Sequence, residues 1–405
     1  MEKEDELLFN FFSCVSQLCF DKAKEHIEKE RECNAGLQSI GWTVLLNTLP
    51  QIILAEKSYI EIGFLQNKHK SFLRKDNSLR SIYETLKSDL KRLEENTKHQ
   101  PFDKHIVNYF QHISQFLAAR INLIDFYEKM FVTGSTRCLR YTDLLEHIET
   151  IIEKHVLSFT DIGLTPIKAV FSLECEILQQ LLKALCELQN LQFLASLALI
   201  HGAQTRLTAW ENKIQNRETW KLGFLKNNPL PLLLQWLIRF KGAVLSKFSL
   251  YFHDRLAQQT SSNDMRQLCS KLQFDYYHRM LQFQRKYDSN TVLLISDEQT
   301  NCDSHDTFPV IVSCPTKRSP QYEIILKMIS DISTELINND KIIYKYSTQE
   351  QCTYVLYTIE SNIYLVIVFE SKKSEKDVFI ANFILEFSTN LRCSKVFTNL
   401  KNPSK

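Results

Sequence analysis

The sequence predicts an α+β protein: a large N-terminal up-and-down helical bundle followed by a smaller C-terminal α+β domain with a mainly antiparallel sheet. Three observations predict it. Apolar residues recur at helical spacing through the first two thirds of the chain. From about residue 289 short runs rich in β-branched and aromatic residues replace that pattern. Only 8 glycines and 9 prolines occur in 405 residues, which disfavours many-turned β architectures and glycine-rich phosphate loops and favours long helices. Three segments follow. Residues 1–226 form the bundle. Residues 227–288 form a helical pair that packs on the bundle or links onward. Residues 289–405 form the α+β domain.

Each element has its own signal. Asp5 to Glu32 carries Leu8, Phe11, Phe12, Val15, Leu18 and Cys19 on one face and then turns highly charged. Residues 39–66 form a second helix, with a kink expected near Pro50, where an amide donor is missing. A third starts near Ser78, with Leu79, Ile82, Tyr83, Leu86, Leu90 and Leu93 at heptad-like spacing. Residues 102–131 form a fourth, and Tyr141 to His155 a shorter fifth. Thr165-Pro166 reads as an N-cap followed by proline at the first helical position. Another helix runs from Phe193 to about Trp220. Short connections between amphipathic helices are the mark of a bundle.

Asn227-Asn228-Pro229-Leu230-Pro231 is the clearest break. A helix then runs to about Gln259, and another from Asn263 to near Tyr287. Six β-rich runs come next: Thr291 to Ser296, Pro309 to Ser313, Tyr322 to Ile329, Lys341 to Ser347, Cys352 to Glu360 and Asn362 to Glu370. The third of these also fits a helix. Ser361 and Asn362 suit a tight hairpin turn, and Asp297 to Thr307 reads as a polar loop. Ser374 to Leu391 closes the chain as a helix, with Ser374 as cap and Asp377 three residues on, as in a capping box. The strand-then-helix order is loosely like that of roadblock and longin domains.

Composition excludes several classes. Lys plus Arg is 49 and Asp plus Glu is 47, a balance that argues against nucleic acid as the main partner. One local basic cluster, Lys68-His69-Lys70 with Arg74-Lys75, reads first as a solvated loop and second as a contact with an anionic membrane surface. The eleven cysteines show no CxxC pair, and Cys14, Cys19, Cys175 and Cys186 lie on apolar helix stripes. With an acidic N-terminus that lacks a signal core, these read as reduced thiols in the cytosol. The oily stretch Leu230 to Phe252 contains Gln235, Arg239, Lys241 and Lys247. Gln235, Arg239, Gly242, Ser246, Ser249 and His253 form one polar stripe along it, so it reads as a core helix and not as a membrane span.

Catalytic and cofactor motifs are absent. The sequence has no GxGxxG, Walker loop, HExxH or GxSxG, and no cofactor or metal is expected. His105 and His112, seven apart, form at most a single pair, short of a zinc site. Asp125 and Glu128 share a helix edge with Lys129, opposite a buried Phe126/Met130 edge; solvation explains them better than acid–base work. Phe248, Tyr251 and Phe252 beside His253 read as core aromatics. The cluster Glu370, Lys372, Lys373, Glu375 and Lys376 reads first as a solvated turn. It is second a candidate partner surface, where mixed charge sets specificity more than affinity.

Several strings, in order along the chain, are similar to one family. They are Phe20–Lys24 with Glu28–Glu32, Ala55–Tyr59, Arg74–Asp76 with Arg80–Tyr83, Asp125–Met130, Lys247–His253, Arg285–Asp288, Phe369–Glu375, and Val396-Phe397 with Leu400-Lys401. None is catalytic; their number and collinearity are the signal. The chain resembles the KICSTOR subunit 2 family over essentially its whole length. It departs from the vertebrate pattern in a shorter loop around 297–308 and in Pro50. The resemblance implies a non-enzymatic scaffold or adaptor in the cytoplasm at the lysosomal surface, peripheral to the membrane. It implies partners, namely a very large scaffold subunit and two propeller-type subunits. Through these the Rag-directed GTPase-activating complex is recruited and the TOR kinase restrained when amino acids or glucose are scarce. A GTPase-binding or membrane-trafficking adaptor acting through the C-terminal domain is the alternative.

Overall fold

The computed structural model describes residues 3–33, 39–65, 78–97, 104–136, 139–215, 230–296, 310–315, 322–339 and 341–401. Among the described residues eight helices build the N-terminal part: α1 Lys3–Ser16, α2 Phe20–Cys33, α3 Ile40–Ile60, α4 Leu79–Thr97, α5 Lys104–Gly134, α6 Tyr141–His155, α7 Thr165–Gln189 and α8 Phe193–Gln215. Four more follow: α9 Leu232–Tyr251, α10 His253–Gln259, α11 Ser262–Ser270 and α12 Tyr276–Tyr287. The α+β part then runs β1 Thr291–Ser296, β2 Val310–Cys314, α13 Tyr322–Asn339, β3 Ile343–Ser347, β4 Cys352–Glu360, β5 Ile363–Phe369, α14 Val378–Leu391 and α15 Ser394–Thr398.

The expected helix from Asp5 to Glu32 is two helices. α1 stops because Leu18 turns into the left-handed region at φ 59°. There the Cys19 amide donates back to Cys14 and the Leu18 amide to Val15, a Schellman stop built without glycine. Leu191 ends α7 the same way at φ 54°. The helix expected from Asn263 to Tyr287 also divides. Its interruption holds Phe274, whose amide donates to Ser246 Oγ (3.1 Å), and Asp275, which caps α12 at the His278 amide (2.9 Å). Thr165 does not cap α7. It is the first helical residue, with Pro166 after it, and a 3-10 turn capped by Asp161 leads in.

α3 continues through Pro50. Proline has no amide hydrogen, so the Leu46 carbonyl one turn earlier loses its helical donor. Arg31 of α2 takes that place: its Nη2 donates to Leu46 O (2.7 Å) and to Asn47 Oδ1 (2.8 Å). The charged end of α2 is thus tied to the one weak point of its neighbour.

The sheet is antiparallel throughout, in the order β2-β1-β5-β4-β3. Its central strand β5 is buried at every position. Alternation explains this, because successive side chains face opposite layers. Ile363, Leu365, Ile367 and Phe369 join the core shared with the helices. Tyr364, Val366 and Val368 join a second core beneath α13. The expected run from Tyr322 to Ile329 is the start of α13 and not a strand. Tyr322, Ile325, Ile329 and Ile332 fall at helical steps and cover that second face. The shared core runs without interruption from Leu8 of α1 to the sheet and α14.

Arg31→Ala is expected to cost about 1 kcal/mol in urea unfolding, and about half of that or less in a Pro50→Ala background, where the amide donor is restored. Equal costs in the two backgrounds would show that Arg31 does not replace the missing donor.

Candidate functional site

Among the described residues two networks of charged side chains lie inside the protein, the first on apolar helix faces and the second between a helix face and the end of a strand. The first joins four helices. Arg120 of α5 is 3% exposed, and its partners Glu56 of α3 and Glu174 of α7 are 5% and 0% exposed. Arg120 Nε and Nη2 donate to Glu56 (3.0 and 2.9 Å), and Nη1 donates to Glu174 Oε2 (2.8 Å). Three tyrosine hydroxyls complete the carboxylates. Tyr83 of α4 donates to Glu56 (2.6 Å), while Tyr59 and Tyr127 donate to Glu174 Oε1 (2.7 and 2.8 Å). Arg120 also lies 4.3 Å above the Tyr59 ring.

The electrostatics are consistent with this arrangement. Burial works against the charge of Arg120. The carboxylates of Glu56 and Glu174, with Tyr59, outweigh it, and the guanidinium pKa lies well above its usual value. Burial first, then Glu174, pushes the Tyr59 and Tyr127 hydroxyls well up, so both stay neutral donors. A void of about 10 Å³ adjoins the network, room for a water at most. The arrangement can hold helices in register.

The second network joins helices to sheet. Lys247 of α9 is fully buried and pairs with Glu360, the last residue of β4. Tyr251 donates to Glu360 Oε2 (3.2 Å). The Tyr141 hydroxyl, at the first residue of α6, lies 2.9 Å from Glu360 Oε1 and 3.0 Å from the Arg392 carbonyl. Arg392, just after α14, donates to the carbonyls of Thr358 and Ile359. Cys393 beside it has its thiol pushed up to about 12 by burial, with Lys247 acting against the shift. His155 is a further buried polar group. Its Nε2 lies 3.0 Å from Asn122 Oδ1, and burial, with Lys154 and Lys168, lowers its pKa to about 4.

The residues singled out in the sequence lie elsewhere. Glu370 accepts from Asn290 Nδ2 (2.6 Å), Lys372 covers the Tyr346 ring on edge strand β3 (4.9 Å), and Lys373 lies over Phe369 (5.3 Å). The Lys373 amide donates to Thr353 Oγ1 (3.0 Å), which donates to Ser371 O (2.8 Å). Glu375 and Lys376 are exposed. Three of the five therefore have local partners at the sheet end, and two face solvent. The capping box is half formed. The Ser374 amide donates to Asp377 Oδ2 (2.8 Å), but α14 starts only at Val378, with Asp377 at its cap position. Asp125 pairs with Arg80 (2.7 Å). His105 is exposed and His112 half-buried. His253 stacks on Tyr277 at 3.6 Å. The cluster at Lys68 to Lys75 and the loop at 297–307 lie outside the described residues.

Sequence reasoning missed both networks. The available signal was a charged residue inside an apolar stripe: Glu56 in Ile52–Ile60, Arg120 in Phe116–Ile124, Glu174 in Val170–Leu178 and Lys247 in Ala243–Tyr251. A buried charge needs a partner, so each called for one.

Together these features define a class. This is an α+β protein, helical in its first part, whose strongest ion pairs staple helices to one another and to a five-stranded sheet. The chain belongs to the KICSTOR C12orf66-like family: the family model described as "KICSTOR complex C12orf66 like" matches residues 1–405. It is 33% identical to KICSTOR subunit 2 of Danio rerio over 435 aligned residues, covering 100% of this chain and 97% of that protein. It is 32% identical to KICSTOR subunit 2 of Xenopus laevis, covering 99% of this chain and 97% of that protein. Network residues Glu56, Tyr59, Tyr83, Tyr127, Lys247 and Tyr251 all fall within the strings that carried the resemblance.

Arg120→Met is expected to destabilise the chain by about 3–5 kcal/mol, because two buried carboxylates lose their counter-charge. Adding Glu56→Gln and Glu174→Gln should recover part of that loss. A cost below about 1 kcal/mol in chemical denaturation would contradict the bonding described.

Proposed function

We propose that the chain is a non-enzymatic scaffold or adaptor subunit of a KICSTOR-type complex. In this reading it works at the lysosomal surface with a very large scaffold subunit and two propeller-type subunits. It helps recruit the Rag-directed GTPase-activating complex and so restrains TOR signalling when amino acids or glucose are limiting. The observation that carries the reading is the end-to-end similarity to KICSTOR subunit 2 proteins of two vertebrates. The buried networks are in keeping with it, since they use charged side chains to join packed elements. Among the described residues no helix is long and apolar enough to cross a membrane, so attachment would run through partners or a peripheral contact.

Within this reading residues 1–226 and 289–405 offer two surfaces, with 227–288 between them. We place one partner contact at Glu370, Lys372, Lys373, Glu375 and Lys376, where Glu375 and Lys376 are exposed beside edge strand β3. A second reading, a GTPase-binding or trafficking adaptor acting through the α+β part, draws on the sheet's order of two strands, a helix, three strands and a helix. That is an analogy of fold and a weaker warrant for function.

Co-expression with the other KICSTOR subunits is expected to give a complex stable at physiological salt. Failure of the purified subunits to associate would count against the scaffold reading. Direct binding of the full chain to Rag GTPases without those subunits would favour the second. Charge reversal at Lys372, Lys373 and Lys376 is expected to weaken assembly while the chain stays folded; unchanged assembly would remove this surface from the interface.

A further inference from the structure

Arg239 and Gly242, from the polar stripe on the otherwise oily helix α9, border a cleft of about 550 Å³. α9 supplies its floor with Trp236, Arg239, Lys241 and Gly242; the turn after α11 and the helix α15 supply its walls with Lys271, Gln273 and Lys395. Four cations from three separate elements therefore converge on one concavity, and among the described residues no Asp or Glu lines it.

The walls are fixed. Trp236 Nε1 donates to the Val396 carbonyl in a buried bond of 2.9 Å, which anchors α15 against α9. On the other side Ser246 Oγ accepts from the Phe274 amide, anchoring the turn. The turn comes close at Gly242, where a methyl group would lie 2.4 Å from Gln273 Oε1, the end of a flexible side chain.

Several basic side chains elsewhere in the chain have acidic partners close by: Arg80 with Asp125, Lys183 with Glu149, Arg206 with Glu176, Arg279 with Glu386. Among the described residues Arg239, Lys241, Lys271 and Lys395 make no ion pair, and Lys241 has only the field of Glu211 to offset its burial. Burial lowers the Lys241 pKa, the mark of an ammonium losing water without a close counter-ion. Gathering like charges without carboxylates costs stability unless an anion completes the set.

We propose that this cleft binds a small polyphosphorylated anion, a compact molecule bearing several phosphate groups. The volume suits a molecule of that size and not an extended chain. Arg239 can grip one phosphate with its planar fork, and the three lysines supply mobile point charges around the others. Free metabolites and lipid headgroups both carry this chemistry, so the test includes both.

The experiment is calorimetric titration of the full chain at about physiological ionic strength, so that weak surface attraction is screened. The probes are inositol hexakisphosphate, inorganic pyrophosphate, and phosphatidylcholine vesicles with and without phosphatidylinositol bisphosphate. Saturable binding of one inositol hexakisphosphate per chain is expected. Lys271→Glu with Lys395→Glu, both at exposed positions, should weaken it by about tenfold or more. Lys241→Gln gives a second, independent variant, and circular dichroism verifies folding for each. Lys87→Glu with Lys91→Glu, exposed on α4 and outside the cleft, should leave binding unchanged. Vesicle binding that needs the bisphosphate lipid assigns the ligand to a headgroup; binding of the free probes alone assigns it to a soluble metabolite. Absence of saturable binding to every probe, or equal weakening by the cleft and distant pairs, overturns the proposal.

Discussion

The rest of the structure depends on one buried ion pair, Lys247 with Glu360. α9 packs against the bundle and the C-terminal elements at once, and a fully buried lysine in its apolar face must have a carboxylate. Glu360, the last residue of β4, supplies it and so joins the sheet to α9. The hydroxyls of Tyr141 and Tyr251 occupy the remaining acceptor positions, so α6 is drawn into the same junction. Arg392 then ties α14 to the last carbonyls of β4. A sheet with both faces buried follows. One face shares the helical core, and the other is closed by α13.

Much of this arrangement was legible in the sequence. α6, β1 and β4 have the bounds that their periodicity predicts, because each begins and ends at a change of polarity. The failures have definite causes. The break between α1 and α2 rests on Leu18 in a left-handed conformation, and a reading that looks for glycine at helix ends cannot see it. The Tyr322 run is rich in β-branched residues but is long enough, and regular enough, to be a helix. In that case tertiary covering of the open sheet face outweighs propensity. The buried networks were missed because charged residues were scored singly. Lys247 counted only as evidence against a membrane span, when the real question was what it pairs with.

Family membership and internal chemistry point the same way. The strings shared with the KICSTOR subunit 2 family carry no catalytic motif, yet six of the network residues lie within them. Arg120, Glu174, Tyr141 and Glu360 of the same networks lie outside them. In the surface run from Glu370 to Lys376, Lys372 and Lys373 cover aromatic rings and Thr353 holds the backbone, while Glu375 and Lys376 are exposed. The least absorbed feature of the sequence, the polar stripe of α9, leads instead to a basic cleft on the same helix that carries Lys247.

The most direct measurement is a double-mutant cycle on that pair, read by denaturant unfolding and by hydrogen exchange in α9, β4 and β5. Lys247→Met and Glu360→Leu should each cost about 3–5 kcal/mol, and the double variant clearly less than their sum. Exchange should rise together in helix and strands for each single variant. Additive costs, or strands that stay protected while α9 opens, would contradict the claim that this pair holds sheet and bundle as one unit.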